Sequence, residues 1–133
     1  LEDFWETFNK RKNNLNYLLE ETKDLREFAY FNTEENRETA CPHGFSLTLR
    51  DERFDFRKLY EFLQKRSINC KRNFGSMPTQ HEGFAFLGHK LGEFPEAEYV
   101  GDNGLHIGVH QYLSKEDLAY VVDTLHEYFK DNG

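Results

Sequence analysis

Residues 42–72 read PHGFSLTLRDERFDFRKLYEFLQKRSINCKR. Apolar and polar residues alternate strictly from Phe45 to Arg50, the period of a half-buried strand. Phe45, Leu47 and Leu49 are expected to face the core, with Ser46, Thr48 and Arg50 outward or along an interface. Asp55 then offers an N-cap for a helix through Arg66. Phe56, Leu59, Tyr60, Phe62 and Leu63 would form its buried side, and Lys65 and Arg66 suit its negative end. A second short strand begins at Ile68 and includes Cys70. Strand, helix and strand together predict a split α/β unit.

Towards the N-terminus, Phe4, Phe8, Leu15, Leu18 and Leu19 recur at helical spacing, so Glu2 to Glu21 reads as an amphipathic helix. Phe4 and Trp5 could instead pack on a neighbour. Phe28 to Phe31 reads as a short strand and Asn32 to Thr39 as a polar loop. Towards the C-terminus, the Gly101-Asp102-Asn103-Gly104 sequence reads as a turn feeding another alternating strand. Leu105, Ile107 and Val109 share one of its faces; His106, Gly108 and His110 share the other, where they could border a ligand. Ser114 caps a last helix, with Asp117 three residues on, and Leu118, Val121, Val122, Leu125 and Phe129 form its stripe. The expected fold is α+β, a small, mainly antiparallel sheet with helices packed on it, in one domain over 1–133.

The 13 Phe and 7 Tyr supply large core side chains, and a chain of this size buries roughly two-thirds of its unfolded surface. A net charge of −7 with both signs interspersed argues against a nucleic-acid or anionic-membrane surface. No apolar run approaches the roughly 20 residues of a membrane span, and a cytoplasmic setting with reduced thiols at Cys41 and Cys70 is expected. A zinc site drawn from Cys41, His43, Cys70 and His81 fits no common ligand spacing, so no metal is expected.

The chemistry is expected in the stretch Ser67 to Phe84. Lys71 and Arg72 offer fixed cations for phosphate or carboxylate. Phe74, Gly75, Ser76 and Gln80 follow in a Gly- and Pro-punctuated loop, where small residues permit close approach and an amide reads hydroxyls. The plainer alternative is a solvated loop closing a strand. No phosphate-binding loop, dinucleotide fingerprint or His-Glu-x-x-His is present, and nothing in their spacing selects Ser76, His81 and Glu82 as a triad.

Three stretches carry a resemblance: Pro42-His43-Gly44-Phe45; Ile68-Asn69-Cys70-Lys71-Arg72-Asn73-Phe74-Gly75-Ser76 with Gln80; and Phe94-Pro95-Glu96-Ala97-Glu98 followed by Gly104 to His110. In this order they resemble the C-terminal portion of the DegT/DnrJ/StrS family of pyridoxal-phosphate enzymes acting on nucleotide-linked sugars. The resemblance implies the small C-terminal domain of a fold-type-I aminotransferase, in a cytoplasmic, normally dimeric parent enzyme of polysaccharide or sugar biosynthesis. Pyridoxal 5'-phosphate would sit on a lysine, or beside a histidine in the 3-dehydratases, of an N-terminal large domain absent from this chain. No cofactor is expected on this chain alone, which would be catalytically incompetent; the Leu start fits a severed domain. Lys71, Arg72, Phe74, Gly75, Ser76, Gln80 and His110 would lie on the nucleotide-sugar side. Lys71 stands where relatives often carry arginine, without the bidentate fork, and His110-Gln111 replaces the Tyr-Pro-Gly of many 3-dehydratases. The aminotransferase is the first reading and the 3-dehydratase the second. A free-standing binding or interaction module is the alternative of a different class.

Overall fold

The computed structural model describes residues 3–40, 42–73, 79 and 81–131. The alternating stretch forms β2 (Gly44–Leu49), preceded by α1 (Phe4–Glu21) and β1 (Ala29–Phe31). After β2 comes α2 (Phe56–Lys65), capped as expected: Asp55 Oδ1 accepts from the Lys58 N–H at 3.0 Å. α2 stops because Ser67 turns left-handed at φ 60°. The Ser67 N–H then donates to Gln64 O and the Ile68 N–H to Leu63 O, both at 3.0 Å, with Ile68 and Leu63 both buried. This paired cap uses up Ile68, so β3 (Cys70–Arg72) starts two residues later than the sequence reading placed it.

The last strand, β4 (Gly104–Gly108), lies between the two ends of the β2-α2-β3 unit. Strand order is β1-β2-β4-β3 and each neighbouring pair is antiparallel. β2 and β3 are thus parallel, split by β4. Phe45, Leu47, Leu49, Leu105, Ile107 and Cys70 line one sheet face and are buried with Leu15 and Leu18 of α1 and Leu59 and Leu63 of α2. α4 (Lys115–Asp131) adds Val122, Leu125 and Phe129, the last stacked on Phe28 at 5.6 Å and edge-on to Phe54 at 5.0 Å. Its start is a reciprocal cap: Ser114 Oγ accepts from the Asp117 N–H at 3.0 Å and Asp117 Oδ2 accepts from the Ser114 N–H at 2.8 Å.

Two local readings need correction. Gly101 to Asn103 is not a turn but the end of α3 (Pro95–Asn103). Pro95 presets the first helical turn, and Glu96 and Glu98 favour its positive end. Gly101 and Gly104 read as punctuation, but Gly101 is buried inside the helix and Gly104 is extended. Thr48, expected to face outward, is buried, because α3 lies against β2 and β4 at that end of the sheet. Glu82–Leu87 adds a short 3-10 helix, begun by His81 Nδ1 accepting from the Gly83 N–H at 3.0 Å. No helix among the described residues is long and apolar enough to cross a membrane.

Candidate functional site

The face of the sheet away from the core is polar. Ser46, His106 and Lys71 are direct partners across β2, β4 and β3, so their side chains stand in one row on that face. Asn73, just past β3, turns back over the row. Its backbone N–H donates to Gly104 O at 2.8 Å. Its side-chain Nδ2 donates to Ser46 Oγ at 2.6 Å, and its Oδ1 meets His106 Nδ1 at 3.0 Å. Asn73 is only 5% exposed, and both polar atoms of its side-chain amide have a partner.

Two glycines make the space. A Cβ on Gly104 would stand 2.5 Å from Val100 O and 2.9 Å from Asn73 Nδ2. One on Gly44 would stand 3.2 Å from Ile107 O and 3.3 Å from His106 Cδ2. Beside the row opens a cavity of about 380 Å³, bounded by Leu15, Ala40, Asn32, Thr33 and His43 together with Ser46, Asn73 and His106. The His43 and His106 rings lie 5.9 Å apart. Burial first, then the neighbouring His43 and Lys71, push the His106 imidazole below its ordinary pKa. The arrangement provides a neutral imidazole, a hydroxyl and an amide for hydrogen bonding, with one exposed ammonium alongside. Among the described residues it has no nucleophile–base pair.

The three described residues of the expected site, Lys71, Arg72 and His110, are dispersed. Lys71 belongs to the polar row and is exposed. Arg72, the next residue, points to the other face: its Nη2 donates to Gly101 O at 3.0 Å and approaches Asp102 at 3.6 Å, and its guanidinium covers the Phe56 ring at 5.3 Å. Arg72 thus ties α3 to α2. His110 is exposed two residues beyond β4, at the opposite end from Arg72, where its carbonyl accepts from Asn14 Nδ2 at 3.0 Å. Phe74, Gly75, Ser76 and Gln80 lie outside the described residues, as does Cys41. Thr79, described between them in sequence, has a buried hydroxyl with no hydrogen-bond partner among the described residues.

Ser46, Asn73 and His43 were not singled out as site residues from sequence. Strand alternation signals Ser46 and His106, but only the β2-β4-β3 register brings them to Asn73. Two apolar surfaces also stand out. Trp5, 68% exposed, packs with Phe4 and Phe8 on the first turns of α1. Phe86, 81% exposed, and Leu91 lie between β3 and α3.

Known proteins share this architecture. Over 97 residues, 67% of this chain, it is 27% identical to the dTDP-4-dehydro-2,6-dideoxy-D-glucose 3-dehydratase of Saccharopolyspora spinosa. Over 131 residues, 97% of this chain, it is 26% identical to the lipopolysaccharide biosynthesis protein RfbH of Salmonella typhimurium. The chain spans 21% and 30% of those two proteins. The structure of a GDP-4-keto-6-deoxymannose-3-dehydratase with a trapped PLP-glutamate geminal diamine superposes with a TM-score of 0.72 at 21% identity, over 93% of this chain and 32% of that one. The aminotransferase TlmJ of Streptoalloteichus hindustanus gives a TM-score of 0.83 at 14% identity, over 98% of this chain and 34% of that one. These two likenesses establish the shared fold. The sequence profile of the DegT/DnrJ/EryC1/StrS aminotransferase family matches residues 1–126, and the chain belongs to that family.

Proposed function

We propose that this chain is the C-terminal small domain of a cytoplasmic, pyridoxal-phosphate-dependent enzyme acting on a nucleotide-linked keto sugar, and that its polar sheet face closes the substrate site. The observation that carries the reading is the family match over residues 1–126, together with coverage of about a third of the structural relatives. A domain of that share has the rest of an enzyme as its natural neighbour. The exposed aromatic surfaces at Trp5 and at Phe86 are suited to docking a large domain or a second subunit.

The described residues do not fit the cofactor by themselves. Pyridoxal phosphate is anchored by a lysine enclosed in a pocket, and among the described residues every lysine is exposed or half-buried. When bound on the large domain, the cofactor supplies the electron sink. This chain would orient the substrate: Lys71 attracts the phosphates, and Phe74, Gly75, Ser76 and Gln80, which follow it in sequence, are assigned to the same side. His110 and Arg72 mark its two margins, Arg72 through its hold on α3.

The family description favours amino-group transfer. Elimination of the 3-hydroxyl is the second reading, favoured by the 27% identity to a 3-dehydratase and the 21% identity to a second one in structure, against 14% for TlmJ. The test is to express the coding region continuous with Leu1, purify the product with pyridoxal phosphate and supply a 4-keto nucleotide sugar with glutamate. An amino sugar supports the first reading and a 3-deoxy sugar the second. A product that neither retains the cofactor nor changes the sugar would leave a binding module instead.

A further inference from the structure

We propose that Asn103-Gly104 is a latent deamidation site which α3 holds shut, and that its conversion to isoaspartate detaches α3 from the sheet. The reaction joins the Gly104 backbone nitrogen to Asn103 Cγ. Hydroxide removes the Gly104 N–H proton, the new N–Cγ bond closes a succinimide ring, and the side-chain nitrogen leaves as ammonia after taking a proton from water. Water then opens the ring. Hydrolysis at Cγ gives aspartate; hydrolysis at the main-chain carbonyl gives isoaspartate, which carries an extra methylene in the backbone. Glycine after asparagine favours ring closure because it has no Cβ to shield the attacking nitrogen.

The fold occupies both reacting groups. The Gly104 N–H donates to Val100 O, closing the last turn of α3. Asn103 Nδ2 donates to Tyr99 O at 3.1 Å. Both bonds run back along the helix, so the nitrogen points away from the Cγ it would attack. Gly104 is itself buried. Its glycine cannot be replaced without cost, since a Cβ there would stand 2.5 Å from Val100 O. The packing of α3 on the sheet therefore demands the residue that makes Asn103 labile, and the same packing suppresses the reaction.

Opening of α3 is the gate. The helix has nine residues, of which Gly101 alone is buried, and an element with so little buried surface opens well before the whole domain unfolds. Two side chains hold it down: Arg72 Nη2 donates to Gly101 O at 3.0 Å, and the Tyr99 hydroxyl donates to Leu49 O at 2.9 Å. The product cannot close again in the same way. Isoaspartate inserts a methylene between α3 and β4, where Gly104 is the register partner of Thr48 and its carbonyl accepts from the Asn73 N–H at 2.8 Å. It also places a new carboxylate next to Asp102. Helix and strand cannot both keep their positions, so α3 leaves the sheet and the Asn73 N–H loses its acceptor.

The test incubates this chain at mildly alkaline pH, folded and in urea, and follows conversion by peptide mapping with isoaspartate-specific methylation. Mapping separates Asn103 from the chain's other Asn-Gly pair, Asn132-Gly133. Asn103 should convert at least about tenfold more slowly in the folded chain than in urea. Arg72→Ala and Tyr99→Phe should each speed conversion of the folded chain about fivefold, the effect of one lost hydrogen bond on an opening equilibrium, and leave the rate in urea unchanged. Should one variant fail to fold, the other decides. The isoaspartate form, separated by ion exchange, should lose hydrogen-exchange protection at the Asn73 N–H. Equal rates folded and in urea overturn the proposal, as does the absence of conversion in urea. Folded variants that convert no faster than the parent chain show that α3 is not the gate and overturn it too. An isoaspartate form with full protection at Asn73 overturns the detachment.

Discussion

Within β4, Leu105 and Ile107 meet Leu47, Phe45 and Cys70 on one face, while His106 between them meets Ser46, Asn73 and Lys71 on the other. The two faces are stabilised differently. On the first, many weak contacts add up, and the loss is proportional to what is removed. On the second, a few directed bonds fix the orientation of an imidazole and an amide, contributing little net stability but high specificity. The apolar face holds the sheet together; the polar face can be spent on a ligand.

The sharpest way to break this contrast is a charge on the apolar face. Ile107→Asp should cost about 4 kcal/mol or more, since the carboxylate has no partner there, a large share of a domain's total stability. Denaturant unfolding followed by circular dichroism would measure it, and a loss under about 1 kcal/mol would mean that Ile107 is not in the core. Next in size is Gly104→Ala, on the polar side. Its Cβ would meet the Val100 carbonyl at 2.5 Å, backbone that cannot rotate away, so about 3 kcal/mol is expected. An unchanged denaturation midpoint would show that α3 does not press on the sheet at this point.

The pH dependence separates the faces more finely. His106 has its pKa lowered from 6.5 in the folded state, so the unfolded chain takes up its proton first. Its contribution is fully present above pH 6.5 and is lost as the pH falls through the lower folded value. In His106→Phe that slope should be absent, and melting curves across this window would show it. Carboxylates such as Asp24, drawn down chiefly by Lys130, and Glu127, drawn down by Arg66, keep their contributions above the ordinary carboxylate values and lose them as the pH falls from there through the lower folded ones. The smallest expected effect is Lys71→Ala: an exposed edge-strand charge whose removal should shift stability by no more than about 0.5 kcal/mol. A large drop in Tm would make Lys71 a structural residue.

Much of this was legible in the chain itself. Period-2 alternation placed Phe45, Leu47, Leu49, Leu105 and Ile107 inside, because a strand has only two faces and burial selects one. Asp55 and Ser114 were readable as caps because a helix start leaves donors that only nearby side chains can satisfy. Local information failed where the outcome depended on a distant segment. α3 spans nine residues and contains Gly101, too short and too interrupted for its periodicity to outweigh its glycines. Lys71 and Arg72 look equivalent as neighbouring cations, yet adjacent strand residues point to opposite faces. Arg72 is committed to Gly101, Asp102 and Phe56, while Lys71 stands in the polar row beside His106.

The sequence by itself determined the composition of each strand face, the helix caps and the family. Only the tertiary structure decided that Ser46, Asn73 and His106 form one network, since these residues are up to 60 positions apart. Their meeting depends on β4 inserting between β2 and β3 and on the register of those pairs. Register is fixed by the packing of the whole buried face, and no local stretch of the chain encodes it.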